Sequence, residues 1–276
     1  MEKTITLSNG VAMPRIFLGT WMTRDQQEAD HAIQSAVDAG YRGIDTAMSY
    51  ENENSIRKAI EKCGVDRDEL FVTSKLWNNA HGYDDALRTF DQSEKNLGGV
   101  DMYLIHWPGQ SKSFIETWKA FERIYREKRV KAIGVSNFMC AHMEILLDHC
   151  EIKPMVNQIE CHVMYVNTPI IRYSQQNGMV MQAWSPLMYG KGLLEDAGLI
   201  AIAQKYGRSP AQIALRYLLQ LDIVPLPKSV NPARVKENFD IFDFEITKED
   251  MDALRAKNVL RRVGHDPFTF FPPEYR

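Results

Sequence analysis

Short apolar runs alternate with longer amphipathic stretches along the whole chain. Eight such runs stand out: IFLG from Ile16, GIDTA from Gly43, LFVTSK from Leu70, MYLIH from Met102, VKAIGVS from Val130, MVNQIE from Met155, MVMQAW from Met179 and IVPLPKS from Ile223. They start 27, 27, 32, 28, 25, 24 and 44 residues apart. Each is too short for a helix and rich in β-branched or aromatic residues, the mark of a strand buried on both faces. Between them the period changes. Gln26 to Ala39 places Ala29, Ile33, Ala36 and Val37 on one stripe and stops at Gly40. Ser111 to Lys128 does the same with Phe114, Trp118, Phe121 and Tyr125. The wide final gap leaves room for an extra short element before a helix from Pro210 to Leu221. Ahead of the first run, TITL, SNG and VAM read as a hairpin turning at Asn9-Gly10. Eight strand–helix units without a Pro/Gly/Ser-rich linker predict an α/β fold, a (β/α)8 TIM barrel. Residues 1–276 form a single domain in this reading, with the hairpin as an N-terminal plug. The rival, an open doubly wound sheet, would carry a Gly-rich phosphate loop after an early strand, and the first run ends in FLGTW with no GxGxxG.

Composition narrows the function. The 276 residues are 45% hydrophobic, which excludes disorder, and 33 Lys+Arg against 36 Asp+Glu give a net charge of −3. No positive surplus is available for a nucleic acid, so no nucleic-acid partner is expected. No apolar run approaches the roughly 20 residues of a membrane span, so no membrane partner is expected either. The opening MEKTITLSNG lacks a secretory apolar stretch, and Cys63, Cys140, Cys150 and Cys161 show no CxxC spacing. A cytoplasmic location with reduced thiols is the expectation.

Barrel enzymes work at the C-terminal ends of their strands. In order, these ends carry Trp21, Asp45, Lys75, His106, Ser136-Asn137, Gln158-Glu160, Trp184-Ser185 and Lys228-Ser229. Polarity begins at any strand end, so one such residue means little. Asp45 and Lys75 differ, because each sits on or just past a β-run. If both point inward they must pair, since an unpartnered buried charge is very costly. Tyr50 follows Asp45 by five residues. A tyrosine hydroxyl titrates near pH 10, too weak an acid to protonate an alkoxide efficiently. A neighbouring ammonium lowers that pKa, and a carboxylate behind the ammonium keeps it charged and aimed. His106 adds a donor for a carbonyl oxygen. Together the four side chains suit protonation of a carbonyl during its reduction. Alone, Tyr50 reads equally as a surface tyrosine and His106 as a strand-end cap.

The blocks Asp45-Thr46-Ala47 with Tyr50, Asn52 and Glu53, then Lys75-Leu76-Trp77, Leu104-Ile105-His106-Trp107-Pro108, Gly134-Val135-Ser136-Asn137-Phe138, Asn157-Gln158-Ile159-Glu160, Trp184-Ser185-Pro186-Leu187 and Pro227-Lys228-Ser229 resemble the ordered signature of the aldo-keto reductases. The resemblance runs from about Leu7 to Asp266. It is similar in flavour to the short-looped bacterial and protist members, which include 2,5-diketogluconate, glyoxal and prostaglandin-F-forming reductases. It implies Tyr50 as general acid in reduction and base in alcohol oxidation, Lys75 held by Asp45 to depress the Tyr50 pKa, and His106 holding the substrate carbonyl. It implies NADPH/NADP+ as cofactor, with Trp184 stacked on the nicotinamide and Ser136, Asn137 and Gln158 on its carboxamide. Ser185 and Leu187, with Lys191, would lie along the pyrophosphate. In PLPKSVNPARVKENFDIFDF, Lys228, Ser229, Val230 and Arg234 would form the clamp on the 2′-phosphate, with Glu237 and Asn238 at the adenine. NADH would leave that Lys and Arg without their anion, so NADPH is favoured. Trp21, Met48, Trp77 and Trp107 would join His106 as walls around a small-molecule carbonyl substrate, Trp77 and Trp107 reading equally as aromatics that seal the barrel top. The C-terminal tail, with Phe268, Phe270, Phe271 and Tyr275, would lie near the barrel mouth or simply pack on the barrel wall. Family members of this length imply a monomer.

Three departures stand out. Phe17 occupies a position where the family has Gly, Cys161-His162-Val163 replaces an aromatic-His-Pro block, and the MYGKGLLED loop is short, implying quicker cofactor release than in long-looped members. A zinc site from Cys140, His142, His149 and Cys150 fails on distance, because His142 and His149 lie about two helical turns apart, and no metal is expected. A Schiff-base aldolase would need no nicotinamide or phosphate set. The remaining alternative is an NADPH-binding regulatory protein on the same barrel with little turnover. The intact set of Asp45, Tyr50, Lys75 and His106 favours an enzyme. The physiological carbonyl stays open among aromatic or medium-sized apolar aldehydes, small dicarbonyls and keto-sugars.

Overall fold

The computed structural model describes residues 1–109 and 113–270. The predicted hairpin forms from β1 (Thr4–Thr6) and β2 (Ala12–Pro14), antiparallel, with Thr4 opposite Pro14. All eight apolar runs become strands: β3 (Phe17–Gly19), β4 (Gly43–Asp45), β5 (Phe71–Leu76), β6 (Met102–Ile105), β7 (Ala132–Ser136), β8 (Val156–Glu160), β9 (Val180–Trp184) and β10 (Ile223–Pro225). They lie side by side in chain order, every neighbour parallel. Gly19 bridges to Lys228 just past β10, and its N–H donates to the Pro227 carbonyl at 3.0 Å, which brings the first strand against the last. The result is a (β/α)8 barrel. Strands β4 to β8 are buried along their whole length, as expected for a sheet with side chains inside and helices outside. The hairpin seals the floor: Leu7 and Met13 are buried, and Gln182 of β9 donates to the Met13 sulfur at 3.7 Å.

The floor also explains Phe17. It pairs in register with Gly43, where a Cβ would stand 2.7 Å from the Phe17 ring. The ring fills the space that glycine leaves and meets Phe71 edge-on at 5.9 Å.

Outside the sheet run α1 (Gln26–Ala39), α2 (Glu53–Lys62), α3 (Tyr83–Leu97), α4 (Phe114–Arg126), α5 (Cys140–Leu147), α6 (Thr168–Gln176), α7 (Ala197–Tyr206), α8 (Pro210–Gln220), α9 (Pro232–Phe239) and α10 (Lys248–Arg255). The α1 bounds match the sequence pattern, and the Asp25 side chain caps it by accepting from the Glu28 N–H. Helix α4 is shorter than its pattern. The predicted start at Ser111 lies outside the described residues, and Lys128 leaves the helix with φ of 58°. The wide final gap holds α7 ahead of α8, whose N-terminus is closed by a Ser209–Gln212 capping box. After α10 the tail returns across the mouth, the Arg261 N–H donating to the Met164 carbonyl at 3.0 Å.

Candidate active site

Asp45 ends β4, Lys75 sits one residue before the end of β5, and His106 follows β6 directly. Tyr50 closes a 3₁₀ turn, Met48–Tyr50, between β4 and α2. The Lys75 ammonium, 0% exposed, reaches Asp45 Oδ1 at 2.5 Å, the Thr46 carbonyl at 2.8 Å and the Tyr50 hydroxyl at 3.4 Å. Its three protons thus find three acceptors. The second Asp45 oxygen accepts from the Gln158 amide at 2.9 Å. Burial pushes Asp45 up and pulls Lys75 down, and in each case the partner's charge opposes the shift. Full hydrogen bonding of both ends is what lets an ion pair persist at such a depth.

Tyr50 corrects one expectation. Its pKa stands well above the ordinary phenol value and not below it, pushed up by burial first, then by the Asp45 carboxylate and Tyr189. Tyr50 therefore holds its proton at neutral pH. His106 moves the other way: burial, with the Lys75 charge adding to it, holds the imidazole well below its usual range. The Ser49 hydroxyl lies 3.4 Å from its Nδ1, and the ring meets Trp77 at 5.0 Å and Tyr50 at 5.8 Å between centroids. A neutral His106 gives a specific expectation. The kcat/KM for carbonyl reduction has no acid limb near the unperturbed histidine value of about 6.5. An inflection there, abolished by His106→Gln, would show that the imidazole titrates.

The expected cofactor residues form two groups. At the mouth, Ser136 Oγ donates to the Gln158 carbonyl at 2.9 Å, the Asn137 amide donates to the His106 carbonyl at 2.9 Å, and Trp184 Nε1 donates to Asn137 Oδ1 at 2.9 Å. Gln158 also donates to Gln182 at 3.0 Å, so its amide nitrogen is already engaged inside the barrel. Asn137 and Ser185 both hold the left-handed backbone region, φ 63° and 51°. Ser185 Oγ, buried beside the Tyr189 side chain, makes no hydrogen bond of normal geometry among the described residues. Leu187 is partly buried at the start of the short loop. In the second group, Lys228 follows β10 and Ser229 Oγ accepts from the Asn231 N–H at 3.1 Å. Val230 packs partly buried against the core, Arg234 lies exposed in the first turn of α9, Glu237 is half-buried and Asn238 buried. Burial pulls Lys228 below its usual value, Glu28 opposes this, and Arg24 adds to it. Among the described residues, the only hydrogen bond of the Lys228 ammonium goes to the Met22 carbonyl at 3.4 Å. Among the described residues neither Lys228 nor Arg234 forms a salt bridge, and two such cations at a helix N-terminus fit a phosphorylated dinucleotide.

Trp77 and Trp107 converge on the tail: Phe270 lies 4.5 Å from Trp107 and 6.1 Å from Trp77. Phe270 thus reaches the site, whereas Phe271 and Tyr275 lie outside the described residues. Trp21, 44% exposed, meets Tyr189, itself 46% exposed, at 5.3 Å with the rings tilted by 50°. Met48 is half-buried and borders a polar groove of about 560 Å³ between α2 and α3, with Glu51, Asn79 and Gln92 on its rim.

Residues 15–259 match the Aldo/keto reductase family. The chain belongs to that family. Glyoxal reductase of Bacillus subtilis (strain 168) is 45% identical over 269 residues, 97% of this chain and 97% of the relative. A crystal structure of an aldo-keto reductase enzyme from a Medee basin deep-sea metagenome library superposes with a TM-score of 0.93 at 40% identity, covering 97% of this chain and 99% of that one. The Bombyx mori aldo-keto reductase, solved in complex with NADP, gives 0.90 at 34% identity, covering 95% and 94%.

Within this aldo/keto reductase, sequence reasoning missed two residues at the mouth and read a third without its partners. Ser49, beside the His106 ring, carries no signal of its own. Tyr189 was visible only as an aromatic in a short loop, yet it joins that loop to Trp21 across the mouth. Glu160 was visible at a strand end, but its partners lie in the tail.

Proposed function

We propose that this oxidoreductase reduces aldehydes and ketones to alcohols with NADPH, Tyr50 being the general acid. The observation that carries the reading is the Lys75 ammonium held between Asp45 at 2.5 Å and the Tyr50 hydroxyl at 3.4 Å, beside a neutral His106. When bound, NADPH supplies the hydride. His106 and Tyr50 hydrogen-bond the carbonyl oxygen, and Tyr50 gives its proton to that oxygen as negative charge grows there. Lys75 stabilises the phenolate left behind, and Asp45 keeps the ammonium charged and aimed. In alcohol oxidation the same phenolate takes the proton back. Trp77, Trp107 and Phe270 surround the carbonyl with apolar surface, which suits aromatic or medium-sized aldehydes. Small dicarbonyls are a second substrate class, supported by the name of the glyoxal reductase relative.

Ser136, Asn137, Gln158 and Trp184 hold the nicotinamide, Ser185 and Leu187 the pyrophosphate, Lys228, Ser229, Val230 and Arg234 the 2′-phosphate, and Glu237 and Asn238 the adenine. The 276 residues act as one catalytic unit, a monomer in the cytoplasm.

The test is the initial rate of NADPH oxidation with an aromatic aldehyde and with methylglyoxal, beside NADH. Turnover is expected with NADPH; tight NADPH binding with no turnover across a broad carbonyl panel would leave only a cofactor-binding role. Lys228→Ala separates the phosphate contact from the rest. Loss of one charge-assisted hydrogen bond, about 1.5–3 kcal/mol, is expected to weaken NADPH binding roughly 10- to 100-fold with NADH barely affected. An equal loss on both nucleotides would remove Lys228 from the 2′-phosphate.

A further inference from the structure

Glu160, the last residue of β8, is a buried carboxylate that the proton chemistry above does not use. It is 4% exposed. Its Oε1 accepts from the Val263 N–H at 2.6 Å and its Oε2 from the Gly264 N–H at 3.1 Å, residues 103 and 104 positions further along the chain. His162 Nε2 lies 3.2 Å from Oε1. A desolvated carboxylate gripping two successive backbone amides is a strong, directional clasp.

What the clasp presses into place is Trp184. A Cβ on Gly264 would stand 2.2 Å from Cη2 and 2.9 Å from Cζ3 of the indole. Gly264 lies outside the left-handed region that favours glycine, so the backbone does not demand glycine there; the indole excludes a side chain. The opposite edge of the ring is pinned as well, Nε1 donating to Asn137 Oδ1 at 2.9 Å. Trp184 is therefore held at its pyrrole edge by the loop after β7 and at its benzo edge by the tail. The same tail continues to His265 and Phe270, stacked on each other at 4.4 Å with Phe270 against Trp107.

We propose that Glu160 and Gly264 are positioning residues for the cofactor: Glu160 docks the tail so that Gly264 backs the Trp184 indole, which couples tail docking to nicotinamide binding. The inference rests on the reading of Trp184 as the nicotinamide-stacking wall. By linkage, whatever docking contributes to nucleotide affinity, nucleotide binding must return to docking.

Nucleotide dissociation constants, measured by fluorescence titration, test the first half. Gly264→Ala is expected to weaken NADPH and NADH alike, by about tenfold within the 5- to 150-fold span of coupled sites, with the thermal midpoint nearly unchanged. In a Trp184→Ala background the same substitution should have little further effect, because the collision with the indole is gone and only the looser 3.1 Å approach to Glu160 Oε2 remains. Trypsin tests the second half. Saturating NADP+ should slow cleavage after Arg261 and Arg262 in the wild type, and Glu160→Gln should speed it. Wild-type affinity in Gly264→Ala, or additivity with Trp184→Ala, or cleavage indifferent to NADP+, would overturn the coupling while leaving the role of Trp184 intact. Trp184→Ala with undiminished affinity for both nucleotides would instead overturn the stacking role and the inference with it.

Discussion

Tyr50→Phe is expected to lower kcat for carbonyl reduction by about 10²- to 10⁴-fold while NADPH affinity and the unfolding midpoint stay close to wild type. The size follows from the scarcity of alternative acids. Lys75 has all three protons committed, to Asp45, to the Thr46 carbonyl and to Tyr50 itself. His106 is held neutral by burial and by the Lys75 charge, so it orients an oxygen without delivering a proton readily. Tyr50 keeps its own proton through neutral pH because burial and the Asp45 carboxylate oppose the phenolate. Only as negative charge appears on the substrate oxygen does transfer become favourable, with the ammonium 3.4 Å away to receive the phenolate. Affinity is expected to be spared because, in the proposed mechanism, the hydroxyl acts on the carbonyl and not on the nucleotide. Single-turnover rates with bound NADPH give the answer directly. A loss smaller than tenfold would mean the proton comes from elsewhere, and His106→Gln in the Tyr50→Phe background would identify the imidazole as its source.

Asp45→Asn is expected to be the most destabilising single change at the site, by about 3–5 kcal/mol in chemical unfolding at neutral pH. It strands a fully buried ammonium, and it also sets an amide NH2 against the Gln158 amide that now donates to Asp45 Oδ2 at 2.9 Å. Lys75→Met strands the carboxylate in turn. The double variant Asp45→Asn/Lys75→Met should recover most of the stability, since no charge remains buried, and it should stay inactive, since nothing stabilises the phenolate. The pH dependence has a definite sign. In Asp45→Asn the folded-state Lys75 pKa lies below the unfolded value, so the unfolded chain binds more protons between the two. The penalty therefore shrinks as the pH rises towards the unfolded lysine value of about 10.4 and is largest below the depressed one. Urea titrations of the three variants across that range decide it. Additive losses in the double variant would mean that Asp45 and Lys75 do not act as a pair.

Much of this was legible in the chain. The eight apolar runs became the eight strands, and the α1 stripe stopped at Gly40 as its pattern indicated. Asp45, Lys75 and His106 met because strand ends in a closed barrel have nowhere else to converge, and the 3₁₀ turn after β4 brought Tyr50 to them. Other features were not legible, for separate reasons. Phe17 looked like a departure until Gly43 appeared beside it in register. Trp21 was assigned to the mouth, but its partner Tyr189 comes from a loop whose path no periodicity describes. The tail was left open between the mouth and the barrel wall, and Phe270 on Trp107 decides for the mouth.

The amino-acid sequence by itself determined the number and order of the strands, the residues at their ends and the family they spell. Periodicity, turns and caps are local, set by side chains a few positions apart. Only the tertiary structure decided the direction in which Tyr50 and His106 titrate and the partner that Glu160 holds. A pKa sums desolvation and charge over every atom around a group, and the Glu160 clasp joins residues 103 positions apart. Both are properties of distances that exist only once the barrel has closed.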